Sequence, residues 1–360
     1  MLVISLLLAL ISMIYVSFDN TYMSYIDFHT LAILLSLMII MAGLRSLGIF
    51  ETIGRWMLEK TSYVRGLTIV LVLLCFGFSM IITNDVTLIT FIPFTIEVLI
   101  MGGMEKYMIR IIVLQTIASN LGSMLTPIGN PQNLYLFSLS GMSLQSFVSL
   151  MLPYTLASLV GLLVACLILI GRESAVVKVQ STHTFSVSEK RKTLIYLLLF
   201  LVAMTSVAHM IPDVIVLGVI MAAVLLMDRS IILKPDYALL LTFVFLFVFI
   251  GNMKRIPEIN LWLQSVIYGR ELLISILASQ VISNVPAAIL LSGFTADKAA
   301  LIVGTNLGGL GTIIASMASL ISFKYYGITE GKRNVSYLGV FTVLNLIFLS
   351  GLLLLYYLIQ

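Results

Sequence analysis

Residues 119–133 read SNLGSMLTPIGNPQN. Two prolines, two glycines and three asparagines interrupt a chain that is otherwise nearly continuous hydrocarbon. Of its 360 residues 60% are hydrophobic and only 10% charged, with a mean hydropathy of +1.13, far outside the range of soluble domains. The chain is expected to be an all-α polytopic membrane protein whose surroundings are the lipid bilayer, with no nucleic-acid partner.

A helix needs about 20 apolar residues to cross the roughly 30 Å hydrocarbon core. Apolar runs of that kind fall near 2–17, 28–43, 65–82, 87–103, 107–138, 146–171, 193–210, 212–228, 236–252, 272–296, 299–323 and 334–358. Leu2–Ser17 lacks a basic start and an A-x-A-like cleavage site, so it reads as a first helix and not as a signal peptide. Cys75 and Cys166 lie in apolar runs without CxxC or Cys/His spacing, which indicates lipid-facing or packing residues and neither a disulfide nor a metal site. His29, His183 and His209 fall near helix ends or in a loop, where an interfacial role is expected.

The opening stretch recurs. SNLGSMLTPIGN, Ser119–Asn130, lies over TNLGGLGTIIAS, Thr305–Ser316, with five of twelve positions identical and no gap. Upstream, ITNDVTLITFIPFT, Ile82–Thr95, matches ISNVPAAILLSGFT, Ile282–Thr295. Further upstream each half has a glycine-led amphipathic stretch with a tryptophan, Gly43–Lys60 and Gly251–Ser265. The common order is spanning helix, interfacial helix, apolar segment broken at Asn, then apolar segment broken at Gly and Thr. A duplicated transporter fold explains that order.

Length and charge orient the two copies. The uncharged run Leu272–Ala296 has 25 residues, too few for two crossings of about 20 residues each. It reads as a re-entrant hairpin with its tip at Ser283–Pro286; Val64–Met104 is long enough for two spans or a hairpin, both of which leave its ends on the same side, and is taken as the counterpart. With the N-terminus in the cytoplasm, only Lys254, Arg255, Arg270 and Lys298 of the twenty Lys and Arg residues then lie outside. Treating 272–296 as a single span weakens the bias to fourteen against six. The positive-inside rule therefore favours two hairpins entering from opposite faces, that is, inverted repeats in a cytoplasmic (inner) membrane.

The expected layout is a first helix and outer loop over 1–27, then a first repeat over 28–171 with hairpin 65–103 and broken helix 107–138. A cytoplasmic linker over 172–192 leads to a second repeat over 193–358, with hairpin 272–296 and broken helix 299–323. About ten helices would span.

Irregular backbone at membrane depth survives only where protein or a wet cavity satisfies it. The prolines and glycines at Pro127, Gly129 and Gly122, and Gly308 in the second copy, permit breaks there. Freed carbonyls and the side chains of Ser119, Asn120, Thr126, Asn130, Asn133, Thr305, Asn306, Thr312 and Ser316 offer oxygens for a cation such as Na⁺, the one cofactor expected. Half-helix N-termini suit an anion. The hairpin tips add Thr83, Asn84, Ser283 and Asn284 from opposite sides. The plainer alternative is that these groups only hydrogen-bond helices together. Asp85 stands apart, because an acid at mid-depth costs roughly 2.5–3.5 kcal/mol and marks an ion or proton path. It is a candidate to exchange H⁺ for Na⁺; the alternative is a clasp bonded to the opposite tip. Glu97 reads as interfacial.

These motifs resemble those of the ion transporter superfamily, which includes arsenite permeases, citrate transporters, divalent anion:sodium symporters and one class of sodium/proton antiporters. The resemblance spans roughly residues 28–358, and TPIGNPQN resembles the loop after the first hairpin of the anion symporters. In those symporters the tips carry Ser-Asn-Thr and hold substrate carboxylates while nearby loop carbonyls bind sodium. Here the tips read Thr83-Asn84-Asp85 and Ser283-Asn284-Val285, and Asn-Asp resembles the arsenite-permease branch more closely. The resemblance implies a secondary transporter of a small anion, an inorganic oxyanion or carboxylate, coupled to Na⁺ or H⁺. A sodium/proton antiporter is the alternative. A compact homodimer through the first, sixth and adjacent helices is expected. No nucleophile–base pair or HExxH-like motif points to an enzyme.

Overall fold

The computed structural model describes residues 1–58, 61, 63–173, 186–208 and 210–359, and helices dominate it. Lys60, Lys178, His183 and His209, and residues 174–185 of the expected linker, lie outside the described residues.

α1 (Leu2–Tyr15) and the single turn α2 (Tyr22–Tyr25) precede the first repeat. That repeat contains α3 (Phe28–Ser46), the amphipathic α4 (Ile49–Leu58), and hairpin arms α5 (Val64–Ile82) and α6 (Asn84–Met101). The broken pair α7 (Met108–Ser123) and α8 (Pro131–Ser140) follows, and then α9 (Leu144–Leu169). α10 (Val187–Val207) and α11 (Asp213–Met227) open the expected second repeat. There the same series returns as α12 (Tyr237–Lys254), α13 (Pro257–Ile267), hairpin arms α14 (Glu271–Ile282) and α15 (Asn284–Ser292), broken pair α16 (Lys298–Leu307) and α17 (Met317–Gly327), and α18 (Asn334–Ile359).

The caps repeat with the helices. Asp27 accepts from the Thr30 amide at 3.0 Å to open α3, and Asp236 accepts from the Leu239 amide at 3.1 Å to open α12. Each closes an otherwise orphaned first-turn donor. The two caps sit at opposite ends of the bundle. Beside Asp27, the Tyr25 hydroxyl accepts from Arg255, just past the far end of α12, at 3.1 Å, and Arg255 pairs with Asp19 at 2.8 Å. Beside Asp236, Lys234 shares a cavity with Arg45 and Ser46 from the far end of α3. α3 and α12 are therefore antiparallel, and the repeats are inverted.

Six helices among the described residues are long and apolar enough to cross a membrane, α5 and α6 among them. α14 and α15 are not: at 12 and 9 residues they reach about 18 and 13 Å. Their tip stops inside the bundle, so the pair is re-entrant. α13 meets α14 at 110°, which lays α13 across the end of the bundle. The first hairpin is longer, but its tip also stops inside: the Ser119 hydroxyl donates to the Asn84 carbonyl at 3.0 Å, level with the end of α7.

Close helix approach positions both breaks. A Cβ on Gly122 would lie 2.6 Å from Ser79 Oγ, and one on Gly308 2.5 Å from Ser279 Oγ. Glycine and serine thus occupy related places in the two halves, and a methyl group at either glycine would push the hairpin arm off the broken helix. Of the two sequence readings of the cysteines, lipid-facing or packing, their complete burial fits packing.

Candidate functional site

The hairpin tips share one unusual backbone conformation. Thr83 has φ 71° and ψ 151°, Ser283 has φ 70° and ψ 154°, and they alone among the described non-glycine residues have positive φ. A β-branched or hydroxyl side chain there costs about 1–3 kcal/mol, and such strain clusters at functional sites. The turn reverses the chain within one residue and starts α6 and α15 at once. Neither hydroxyl caps its own helix.

Between the tips the two broken helices clasp each other reciprocally. Asn120 Oδ1 accepts from Ser316 Oγ at 2.9 Å and from Asn84 Nδ2 at 3.2 Å. In the related place, Asn306 Oδ1 accepts from Asn130 Nδ2 at 3.1 Å. Asn120 and Asn306 are repeat-related, as are Asn130 and Ser316, so each pre-break asparagine bonds the post-break cap of the other half. Asn133 Oδ1 also accepts from Asn306 Nδ2 at 2.6 Å, and its amide nitrogen spans the carbonyls of the break at 3.2–3.4 Å. Gly129 folds back so tightly that a Cβ would lie 2.0 Å from the Ser123 carbonyl oxygen. Asn130 then caps α8, with Pro131 at its first position.

Other sequence-selected residues sit apart from this centre. Thr126 donates to the Met80 carbonyl, and Thr312 to the Gln280 carbonyl at 3.1 Å, so both pin a loop to a hairpin arm. Thr305 bonds the Leu301 carbonyl of its own helix at 2.8 Å. Pro127 starts a short 3₁₀ turn, and Gly122 and Gly308 provide close approach. Gln280 was missed: its amide donates to the Gly308 and Leu310 carbonyls at 3.0 and 2.9 Å and accepts from the Thr312 amide at 2.8 Å. Its signal was a lone glutamine three residues before a tip.

The tips differ in one respect. Asn284 N–H donates to the Ala315 carbonyl at 2.9 Å, with the Ser283 hydroxyl 3.4 Å from the same oxygen. The repeat-related oxygen is that of Gly129, and among the described residues neither Thr83 nor Asn84 bonds it. Instead Thr83, Asp85 and Asn130 line a cavity of about 590 Å³ walled by α3, α6 and α17, within the usual size range for small-molecule sites. The cavity runs to the end of the bundle carrying Arg45 and Lys234. One tip is tied shut and the other is open.

Asp85 lies in the first turn of α6, where the helix dipole favours an acid. Its Oδ1 is closed to solvent and has no hydrogen-bond partner. The clasp alternative required a bond from Asp85 to the second tip, and among the described residues there is none. Glu97, as expected for an interfacial acid, is half exposed and pairs with Arg55 at 3.4 Å.

Comparison with known proteins places the chain in a family. Residues 1–300 match the citrate transporter family. An uncharacterized transporter of Methanocaldococcus jannaschii is 33% identical over 302 residues, 83% of this chain and 81% of that protein. Inner membrane protein YbiR of Escherichia coli is 32% identical over 83% of this chain and 80% of its own length. A silicon efflux transporter of Oryza sativa is 31% identical over 144 residues, 40% of this chain and 29% of that protein. With six apolar helices long enough to span among the described residues and a family match over most of its length, this chain is an integral membrane transporter and belongs to the citrate transporter family.

Proposed function

We propose that the protein is a secondary transporter that moves a small oxygen-rich solute, an inorganic oxyanion or carboxylate, across the cytoplasmic membrane by alternating access. Asp85 carries the coupling cation, H⁺ or Na⁺. The observation that carries this reading is the partnerless Asp85 oxygen at a strained tip that opens on a one-sided cavity. A carboxylate oxygen kept from water and without a donor bears the full desolvation penalty unless a cation joins it. The amides at the start of α6 and α8 and the oxygens around Asn130 supply the polar surface for the solute.

The excess of Arg and Lys at the open end favours placing that end in the cytoplasm, which makes this an inward-open state. The inner-membrane relative from Escherichia coli supports the same location. A sodium/proton antiporter is the second reading. It is favoured by the first tip itself, which carries an acid, Asp85, and no basic side chain.

The test is uptake into proteoliposomes under imposed Na⁺ or H⁺ gradients, with arsenite, orthosilicate, citrate and succinate as the panel. Orthosilicate is included because of the silicon transporter among the relatives. Gradient-driven accumulation of a solute supports the first reading. Sodium-driven proton movement with no solute supports the second, and neither flux rejects both. Asp85→Asn is expected to abolish accumulation and its pH dependence.

A further inference from the structure

Glu51 lies in the first turn of α4, on the amphipathic helix that packs against both arms of the first hairpin. It lines the same cavity as Asp85. One of its carboxylate oxygens, Oε2, is also closed to solvent and without a hydrogen-bond partner. Among the described residues only these two carboxylates have a buried, partnerless oxygen, and both residues line one cavity.

Resting on the transporter reading above, we propose that Glu51 is a second coupling carboxylate, a proton relay between the mouth of the cavity and Asp85. Of the acids within 590 Å³ of connected space, Asp236 is committed to capping α12, which leaves Glu51 and Asp85 to carry protons. Arg45 from α3 and Lys234 from the turn before α12 complete the charged lining, and neither is paired with Glu51.

The step is a simple transfer. A hydronium ion at the mouth gives its proton to the Glu51 carboxylate and leaves water. Glu51 then passes the proton through cavity water to Asp85 and returns to its anionic form. Unpaired, each buried oxygen costs the penalty of a buried polar atom, and protonation of the carboxyl removes the charge that makes that penalty largest. The positive end of α4 stabilises the returned anion.

Two measurements on the full chain test this. Dicyclohexylcarbodiimide modifies carboxyl groups that are protonated within apolar surroundings, so mass spectrometry after its use reads both sites without any solute. Glu51 and Asp85 are expected to label as the pH falls, and Glu51 is expected to label in Asp85→Asn as well. No labelling of Glu51 at any pH where the protein stays folded overturns the proposal. In proteoliposomes with an imposed proton gradient and a trapped pH dye, Glu51→Gln is expected to slow proton entry by at least about a hundredfold, the low side of what a positioned proton-transfer group contributes. Its pH profile should shift, and Glu51→Asp should restore part of the rate. Wild-type rate and profile in Glu51→Gln would overturn the relay. If the wild type moves no proton or solute, the transport reading fails, while carbodiimide labelling still decides the protonation of Glu51.

Discussion

Replacing Thr83 by glycine and by alanine separates strain from chemistry at the first tip. At φ 71° and ψ 151° the residue sits in a region that only glycine enters freely. Glycine should release about 1–3 kcal/mol of local strain and return about 0.5–1 kcal/mol through its greater freedom in the unfolded chain. The net expectation is about 0.5–2 kcal/mol of stabilisation, a roughly 2- to 30-fold shift in the folded ratio. Alanine keeps the Cβ and so the strain, and loses the γ-methyl and the hydroxyl, which makes no bond to its own helix, so it should change stability little. The assay pairs thermal stability in detergent with transport in liposomes. Thr83→Gly should melt higher than Thr83→Ala yet transport less than wild type, because a softened turn no longer holds Asp85 and the start of α6 in place. The same order should hold at Ser283. If Thr83→Gly melts below Thr83→Ala, as at an ordinary helix position, the strain argument is wrong.

The reciprocal clasp predicts coupled losses. Asn120→Ala strands the Asn84 amide and the Ser316 hydroxyl, and should cost about 2 kcal/mol, with Ser316→Ala costing less and the double variant falling short of the sum. Strict additivity would mean that Asn120 and Ser316 do not share an interaction. For topology, cysteines at Arg172 and Asn20 should label with an impermeant maleimide only from the cytoplasmic and only from the outer face, respectively. The native Cys75 and Cys166 are buried and should stay silent. Labelling of both new sites from one face would reject the odd number of crossings between them.

Much of the architecture was legible because membrane burial restricts what a sequence can do. A 25-residue uncharged run cannot cross twice, and charge counting then inverted the second repeat without any contact information. The aligned breaks identified Asn120, Asn130, Asn306 and Ser316, but not that they bond across the repeats, since partner choice depends on how the halves dock. Thr126 and Thr312 looked like site oxygens by the same alignment and prove to be loop pins. Identical chemistry at a break serves packing or binding according to which way the hydroxyl faces. Glu51 was invisible as a site residue because an acid on an amphipathic stretch ordinarily faces water. One of its oxygens is closed off where α4 packs against both arms of the hairpin.

Since the repeats are related residue by residue, every contact present in one half has a counterpart position in the other, and on the alternating-access reading proposed above departures from that correspondence are where movement is expected. The clasp, the loop pins and the glycine–serine approaches obey it. The tips do not: Ala315 receives the Asn284 amide at 2.9 Å, while the related bond from Asn84 to Gly129 is absent among the described residues and the cavity opens there. A backbone bond made on one side and broken on the other is the local difference that a two-state gate requires. Amide exchange reads it directly. In detergent without a gradient, peptides covering 283–288 should exchange more slowly than those covering 83–88, because the first group is tied to the 315 carbonyl and the second faces the cavity. A solute that favours the opposite state should narrow or reverse that order. Equal protection at both tips with no solute present would mean that the asymmetry does not describe the resting protein, and the assignment of one tip as the closed gate would have to be abandoned.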